Sequence, residues 1–295
     1  MSGLCSFLSR WFVPPRLYRV AHALLGPPRA PVEFRPLLAR NREFRGRHAG
    51  QRCFILGTGP SINKMDLTPL SKEVCIALNS FHRHVDYARL APQYHFFSGL
   101  AVHPRIGEAS GDEYMRDLAR STGNATLLLH AYDAQHFEGA GYLVGRMAYY
   151  FLYDLPATHL REWGLDATRS LYQAESVSVM ALQVALYMGF SRIYLLGVDH
   201  DWVFRFAERQ STHFYEPKTC PLERTGISDW DGLTWSAMFA SYHRLWTQYE
   251  SLGQYAKRQG VTIVNATEGG ILDVFPRSDM GSLFAAGSAD GSCGQ

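Results

Sequence analysis

From Arg52 onward the chain repeats one pattern. A short apolar run is followed by a polar or glycine-rich break and then by a longer stretch with helical spacing. The apolar runs fall at 53–56, Val74 to Leu78, Tyr94 to Phe97, Ala125 to Leu129, Arg192 to Val198 and Val261 to Asn265. Helical stretches are expected at 111–121, 142–153, 175–188 and 234–259. Strands that alternate with helices predict an α/β fold, a mainly parallel sheet flanked by helices on both faces. Segment 175–188 is apolar nearly all round, which predicts a buried helix closed by Gly189. The last long helix carries Trp235, Met238, Phe239, Tyr242, Leu245, Trp246, Tyr249 and Leu252 on one face, a spacing that predicts core packing. His243 sits at the edge of that stripe.

Three regions break the alternation. Residues 1–50 hold nine arginines against Glu33 and Glu43, interleaved with aromatic residues and two Pro-Pro pairs. Such a basic amphipathic arm suits peripheral contact with an anionic membrane through residues 1–45. Residues 199–233 are polar, aromatic and irregular, as a lid over a binding site would be. Residues 285–295 read as a disordered tail. The catalytic domain is therefore expected over 51–284.

Composition narrows the classes. The chain is 46% hydrophobic and 19% charged with a formal net charge of +2, ordinary for a globular protein and no signal for nucleic acid. Five scattered cysteines form no C-x-x-C pair, and Cys53 and Cys75 fall inside strand candidates, so they are expected in the core of a protein of the reduced cytoplasm. No apolar run reaches the roughly 18–20 residues of a spanning helix.

The chemistry lies at the strand ends, because ligands of parallel α/β sheets sit beyond the carboxyl ends of the strands. The first strand runs into Gly57-Thr58-Gly59-Pro60-Ser61. Two residues without Cβ permit a sharp bend and close approach to a ligand, and a strand–turn–helix of this kind is a ready anion site. The second strand ends on Asn79-Ser80, the third on Ser98-Gly99, and the fifth on Gly197-Val198-Asp199-His200-Asp201. The sixth delivers Asn265, Thr267, Glu268, Gly269 and Gly270. Ser176 and Ser178 open the buried helix, where hydroxyls cap the helix or hold a phosphate. Asp199-His200-Asp201 is formally a D-x-D, the place a metal would take if one were used.

Three blocks carry a resemblance: Phe54 to Leu67, Ser176 to His200, and Val264 to Arg277. Together they resemble the DUF115 family, which includes the central domain of Maf flagellin glycosyltransferases and archaeal 6-hydroxymethylpterin diphosphokinase-like proteins. The first two, with Asn79-Ser80-Phe81, are also similar to bacterial sialyltransferases of glycosyltransferase family 42. The resemblance implies a Rossmann-like, GT-A-variant sheet and a nucleotide held by Gly57, Gly59, Pro60, Ser61 and Asn79. It places Ser176 near sugar or phosphate and Asp199 in the nucleotide pocket. Thr58 stands where the sialyltransferases carry asparagine, and Ala174 or Glu175 where they carry arginine.

The expected activity is metal-independent transfer of a CMP-activated acidic sugar to a glycan or glycoprotein hydroxyl, with no cofactor beyond the donor. His243 or His213 would serve as general base, since imidazole titrates near neutral pH. Amides at Ser61 and Ser176, with Tyr215, would stabilise the departing phosphate. The alternative is Mg²⁺-dependent transfer of pyrophosphate from ATP to a pterin alcohol, with Asp199, Asp201 and Glu268 at the metal. A third class is a nucleotide-binding scaffold without chemistry.

Overall fold

The computed structural model describes residues 26–99, 108–157, 160–208, 210–216, 219–220 and 233–285. Eight strands form one sheet: β1 Arg52–Leu56, β2 Val74–Leu78, β3 Tyr94–Phe96, β4 Thr126–His130, β5 Ala148–Leu155, β6 Ser170–Tyr172, β7 Arg192–Leu196 and β8 Thr262–Asn265. Their order is β6-β5-β4-β3-β2-β1-β7-β8, and every neighbouring pair is parallel. The four longer helices used below are α1 Glu108–Ser121, α2 Val177–Tyr187, α3 Trp202–Glu208 and α4 Trp235–Arg258. The α/β sandwich read from the alternation is the fold observed.

Side chains divide between the two faces with the strand period of two. Cys53 and Ile55 of β1 pack with α2 and with Leu245, Tyr249 and Leu252 of α4. Phe54 and Leu56 pack on the opposite face with Ile62, Phe81 and Tyr87. α1 covers the other half of that sheet through Tyr114, Met115 and Leu118, against Leu127, Leu129 and Leu152. Burial on both faces explains why the strands are continuous apolar runs. It also explains α2, buried along nearly its whole length. Cys53, Cys75 and Cys220 are buried, and burial pushes the Cys75 thiol up to about 12.

The stretch 142–153, expected as a helix, is instead a turn leading into β5. Ala148–Leu155 is apolar on both faces and so shows no strand alternation, while its tyrosines and phenylalanine favour the pleated conformation. The short β6 was not foreseen.

Residues 1–25, where most of the membrane-contact expectation lies, are outside the described residues. From Ala30 the chain is docked on the domain. Asn41 Nδ2 donates to the carbonyls of Tyr150 and Ala167 at 2.7 and 2.9 Å. Phe44 is fully buried, and His48 stacks on Phe190. No helix among the described residues is long and apolar enough to cross a membrane. Of the expected tail, 285–295, Ala285 ends a short helix, Met280–Ala285, and the rest lies outside the described residues, as does much of the expected lid, including 221–232.

Candidate functional site

After β1 the chain moves outward through β2 to β6, then returns to place β7 on the other side of β1. Loops at the carboxyl ends of β1 and β7 therefore run apart, and a crevice opens at this switch point. Below it the two turns are clasped. Gly57 N–H donates to Leu196 O at 2.8 Å and Gly59 N–H to Gly197 O at 2.9 Å. A Cβ on Gly57 would lie 2.9 Å from Gly197 C and still closer to its oxygen; one on Gly59 would lie 2.5 Å from Asp199 Cγ. Gly197 itself is left-handed, with φ +64°. The glycines are thus required by the neighbouring turn, not only by a ligand as the sequence reading had it.

The helix expected after Pro60 is a five-residue 3₁₀ turn, Pro60–Lys64. Its anion is already present. Ser61 donates its N–H to Asp199 Oδ1 at 3.2 Å and its hydroxyl to Asp199 Oδ2 at 2.8 Å. Burial raises the Asp199 carboxyl above its usual range, against the lowering effect of Ser61. From behind, Ile271 N–H donates to Asp199 O at 2.9 Å, and a Cβ on Gly270 would meet that oxygen at 2.5 Å. Thr267 Oγ1 accepts from Val198 N–H, and Asn265 ties its own loop together. The β8 end therefore supports the Asp199 turn and does not line the crevice.

The crevice is a cavity of about 310 Å³. It is lined by Gly57, Thr58, Gly59, Asn79, Ser98, Ser176, Ser178, Gly197, Asp199, His200 and His213 among the expected residues. Glu175, Met180, Trp202 and Thr212 also line it and were not among the expected site residues. Among the described residues its carboxylates are Glu175 and Asp199, and no lysine or arginine lines it. Hydroxyls, amides and the start of α2 are what such a site offers an anion.

Two lining residues are left-handed without being glycine: Asn79, φ +43°, and His200, φ +48°. Such strain persists only where its surroundings hold it, and it clusters at functional sites. The carbonyl of Asn79 accepts from His95 Nε2–H at 2.7 Å and from His82 Nδ1–H at 3.2 Å. Tyr87 O–H then donates to His95 Nδ1 at 3.0 Å, so this buried imidazole is satisfied and neutral, and burial holds its pKa well below the usual range. Asn79 Oδ1 accepts from Ser98 N–H at 3.0 Å, which fixes the side-chain amide. His200 Nε2 lies 2.7 Å from the hydroxyl of Tyr249, and burial lowers its pKa to about 3.

His213 belongs to a short segment fastened to the β1 turn. Its Nδ1 lies 3.0 Å from Thr58 Oγ1, and Phe214 N–H donates to Thr58 O at 2.9 Å. The ring of Tyr215 stacks on His213 with centroids 5.1 Å apart. Tyr215 supports the imidazole and is not itself a lining residue.

Other expected residues lie elsewhere. Pro60 and Ser61 are behind the Asp199 turn. Ser80 contacts Tyr114 Oη and Cys220 Sγ and is buried away from the cavity. Asp201 is held by Arg205 at 2.8 Å. His243 is exposed on α4 and does not line the cavity. No group of three His, Cys, Asp or Glu placed to hold a metal occurs among the described residues.

A second hollow, about 770 Å³, lies beyond β8 beside Lys64, Asp66, Arg277, Asp279 and Phe284. It is larger, but several of its polar groups are committed to local structure. Arg277 binds the carbonyls of Leu272, Thr267 and Gly269, and Asp279 caps the turn at Ser282. The switch-point cavity has the convergent and strained chemistry.

No protein-family model matches this chain, and no curated protein is detectably related to it.

Proposed function

We propose that this chain is a glycosyltransferase that moves a CMP-activated acidic sugar to a hydroxyl of a glycan or glycoprotein. One observation carries the reading. Hydroxyl, amide and imidazole groups from four strand ends, the start of α2 and residues 212–213 share one cavity at the switch point of a parallel sheet. The resemblance to the DUF115 family and the family 42 sialyltransferases supports the donor class. Its first block builds the β1 turn, its second supplies Ser176, Asp199 and His200, and its third supplies the loop behind Asp199.

His213 is the candidate base, because it lines the cavity and His243 does not. In this reading Nδ1–H donates to Thr58 Oγ1 and Nε2 takes the acceptor proton. The acceptor oxygen attacks the anomeric carbon while the bond from that carbon to the phosphate oxygen breaks. The proton goes to the imidazole and the electron pair leaves with CMP. Asn79 and Ser176, which line the cavity, would hold the nucleotide. Asp199 organises the turn: its two oxygens accept from Ser61, and Asp201 is paired with Arg205. These commitments favour the sugar transferase over Mg²⁺-dependent pyrophosphate transfer, which needs those carboxylates at the metal.

Thermal shift with CMP, CDP, ATP and GTP, each with and without Mg²⁺, tests the reading. Stabilisation by CMP without metal is expected. Stabilisation by ATP and Mg²⁺ alone would transfer the proposal to the diphosphokinase, and no response to any nucleotide would leave a scaffold.

A further inference from the structure

The wall opposite the glycine clasp contains a connected row of polar side chains. His200 Nε2 lies 2.7 Å from Tyr249 Oη, Tyr249 Oη 2.6 Å from Ser178 Oγ, and Ser178 Oγ 2.8 Å from Ser176 Oγ. His200, Tyr249 and Ser178 are buried, while Ser176 is only partly so. His200 and both serines line the cavity.

Proton counting limits what this row can do. A neutral imidazole and three hydroxyls carry four protons, and three hydrogen bonds use three of them. One proton is left over, at Ser176 or at His200 Nδ1. The Ser176 end is the favourable place. Ser176 is the N-cap of α2 and its Oγ accepts from Ser178 N–H at 3.4 Å, so its lone pairs face the positive end of an 11-residue helix and its proton turns away.

We infer that His200, Tyr249 and Ser178 are positioning residues that turn the Ser176 hydroxyl proton into the cavity, making Ser176 a dedicated donor to an oxyanion of the ligand. This rests on the nucleotide-donor reading: the oxyanion is the phosphate of the nucleotide or the carboxylate of its acidic sugar. The row matters because no lysine or arginine lines the cavity among the described residues. Burial keeps His200 neutral, so the count of four protons holds throughout the neutral range.

The test uses the full chain with ¹⁵N-labelled histidine. His200, assigned by its loss in His200→Gln, is expected as the Nε2–H tautomer with Nδ1 unprotonated. An Nδ1–H tautomer would overturn the proposal whether or not any nucleotide binds. Affinity is then compared for CMP, cytidine and N-acetylneuraminate. Tyr249→Phe is expected to weaken the anionic probe that Ser176 contacts about tenfold and to leave cytidine unchanged. A loss confined to CMP assigns the phosphate, and one confined to N-acetylneuraminate the carboxylate. Ser178→Ala gives the same reading should Tyr249→Phe not fold. Unchanged affinity for both anions in these variants would also overturn it. If the unmodified protein binds none of the probes, the nucleotide reading falls, and the tautomer alone decides the direction of the row.

Discussion

The cavity has two walls built on different physics. One is the clasp of Gly57, Gly59 and Gly197 against Asp199 and Gly270, where backbone atoms approach too closely for any Cβ. The other is the face of α2 and α4 behind Ser176, where buried hydroxyls and an imidazole satisfy one another. The first fixes shape by excluding volume. The second fixes the direction of protons. A substitution on the first wall should therefore cost stability before it costs chemistry, and on the second it should alter pH response and anion recognition.

The largest effect expected is acid sensitivity of the polar wall and the imidazoles behind it. Burial lowers the pKa of His200 from 6.5 to about 3 and of His130 from 6.5 to about 4, and lowers that of His95 as well. The unfolded chain takes up protons below pH 6.5 that the folded chain refuses. The stabilisation is thus full above pH 6.5 and is lost as pH falls toward the folded values, by about 1.4 kcal/mol per pH unit for each histidine. Urea unfolding at pH 7, 6 and 5 measures the slope, and His200→Gln should remove one histidine's share. A flat profile would show that these imidazoles are accessible.

Next is the clasp. Gly59→Ala drives a methyl group into Asp199 and should cost about 3 kcal/mol in the same assay. A loss under about 1 kcal/mol would mean that the turns separate freely. Ser61→Ala removes one of two donors to a buried carboxylate and should cost about 2 kcal/mol. It should also raise the Asp199 pKa further, visible by carboxyl NMR. The smallest effect belongs to the rim. Arg244 is paired with Glu175 at 2.6 Å but is 54% exposed, so Arg244→Ala should cost less than about 1 kcal/mol.

The two walls were also unequally legible. Six strands could be read because their apolar runs end on glycine or polar residues, and the strand-end residues Thr58, Asn79, Ser98 and Asp199 do converge. β5 was misread because burial on both faces removes the alternation that marks a strand. The reason for Gly57 and Gly59 could not be read locally, since the atoms they avoid lie some 140 residues further along the chain. Tyr249 was assigned to the core stripe of α4, correctly for its ring. Its hydroxyl contacts depend on the crossing of α2 and α4, which no local pattern encodes. His243 was a candidate base at the edge of the α4 stripe, and position along the chain cannot tell which side of a helix faces the cavity. In the site, pattern reported what gathers at strand ends; tertiary contact decided which groups remain free to act.

Hydrogen–deuterium exchange of the full chain with and without CMP tests the central claim most directly. Slowed exchange at 57–61, 79–80, 176–178 and 197–200 together is the expected result. Protection confined to 64–66 and 277–281, at the hollow beyond β8, would place the ligand elsewhere and contradict the assignment of the switch-point cavity.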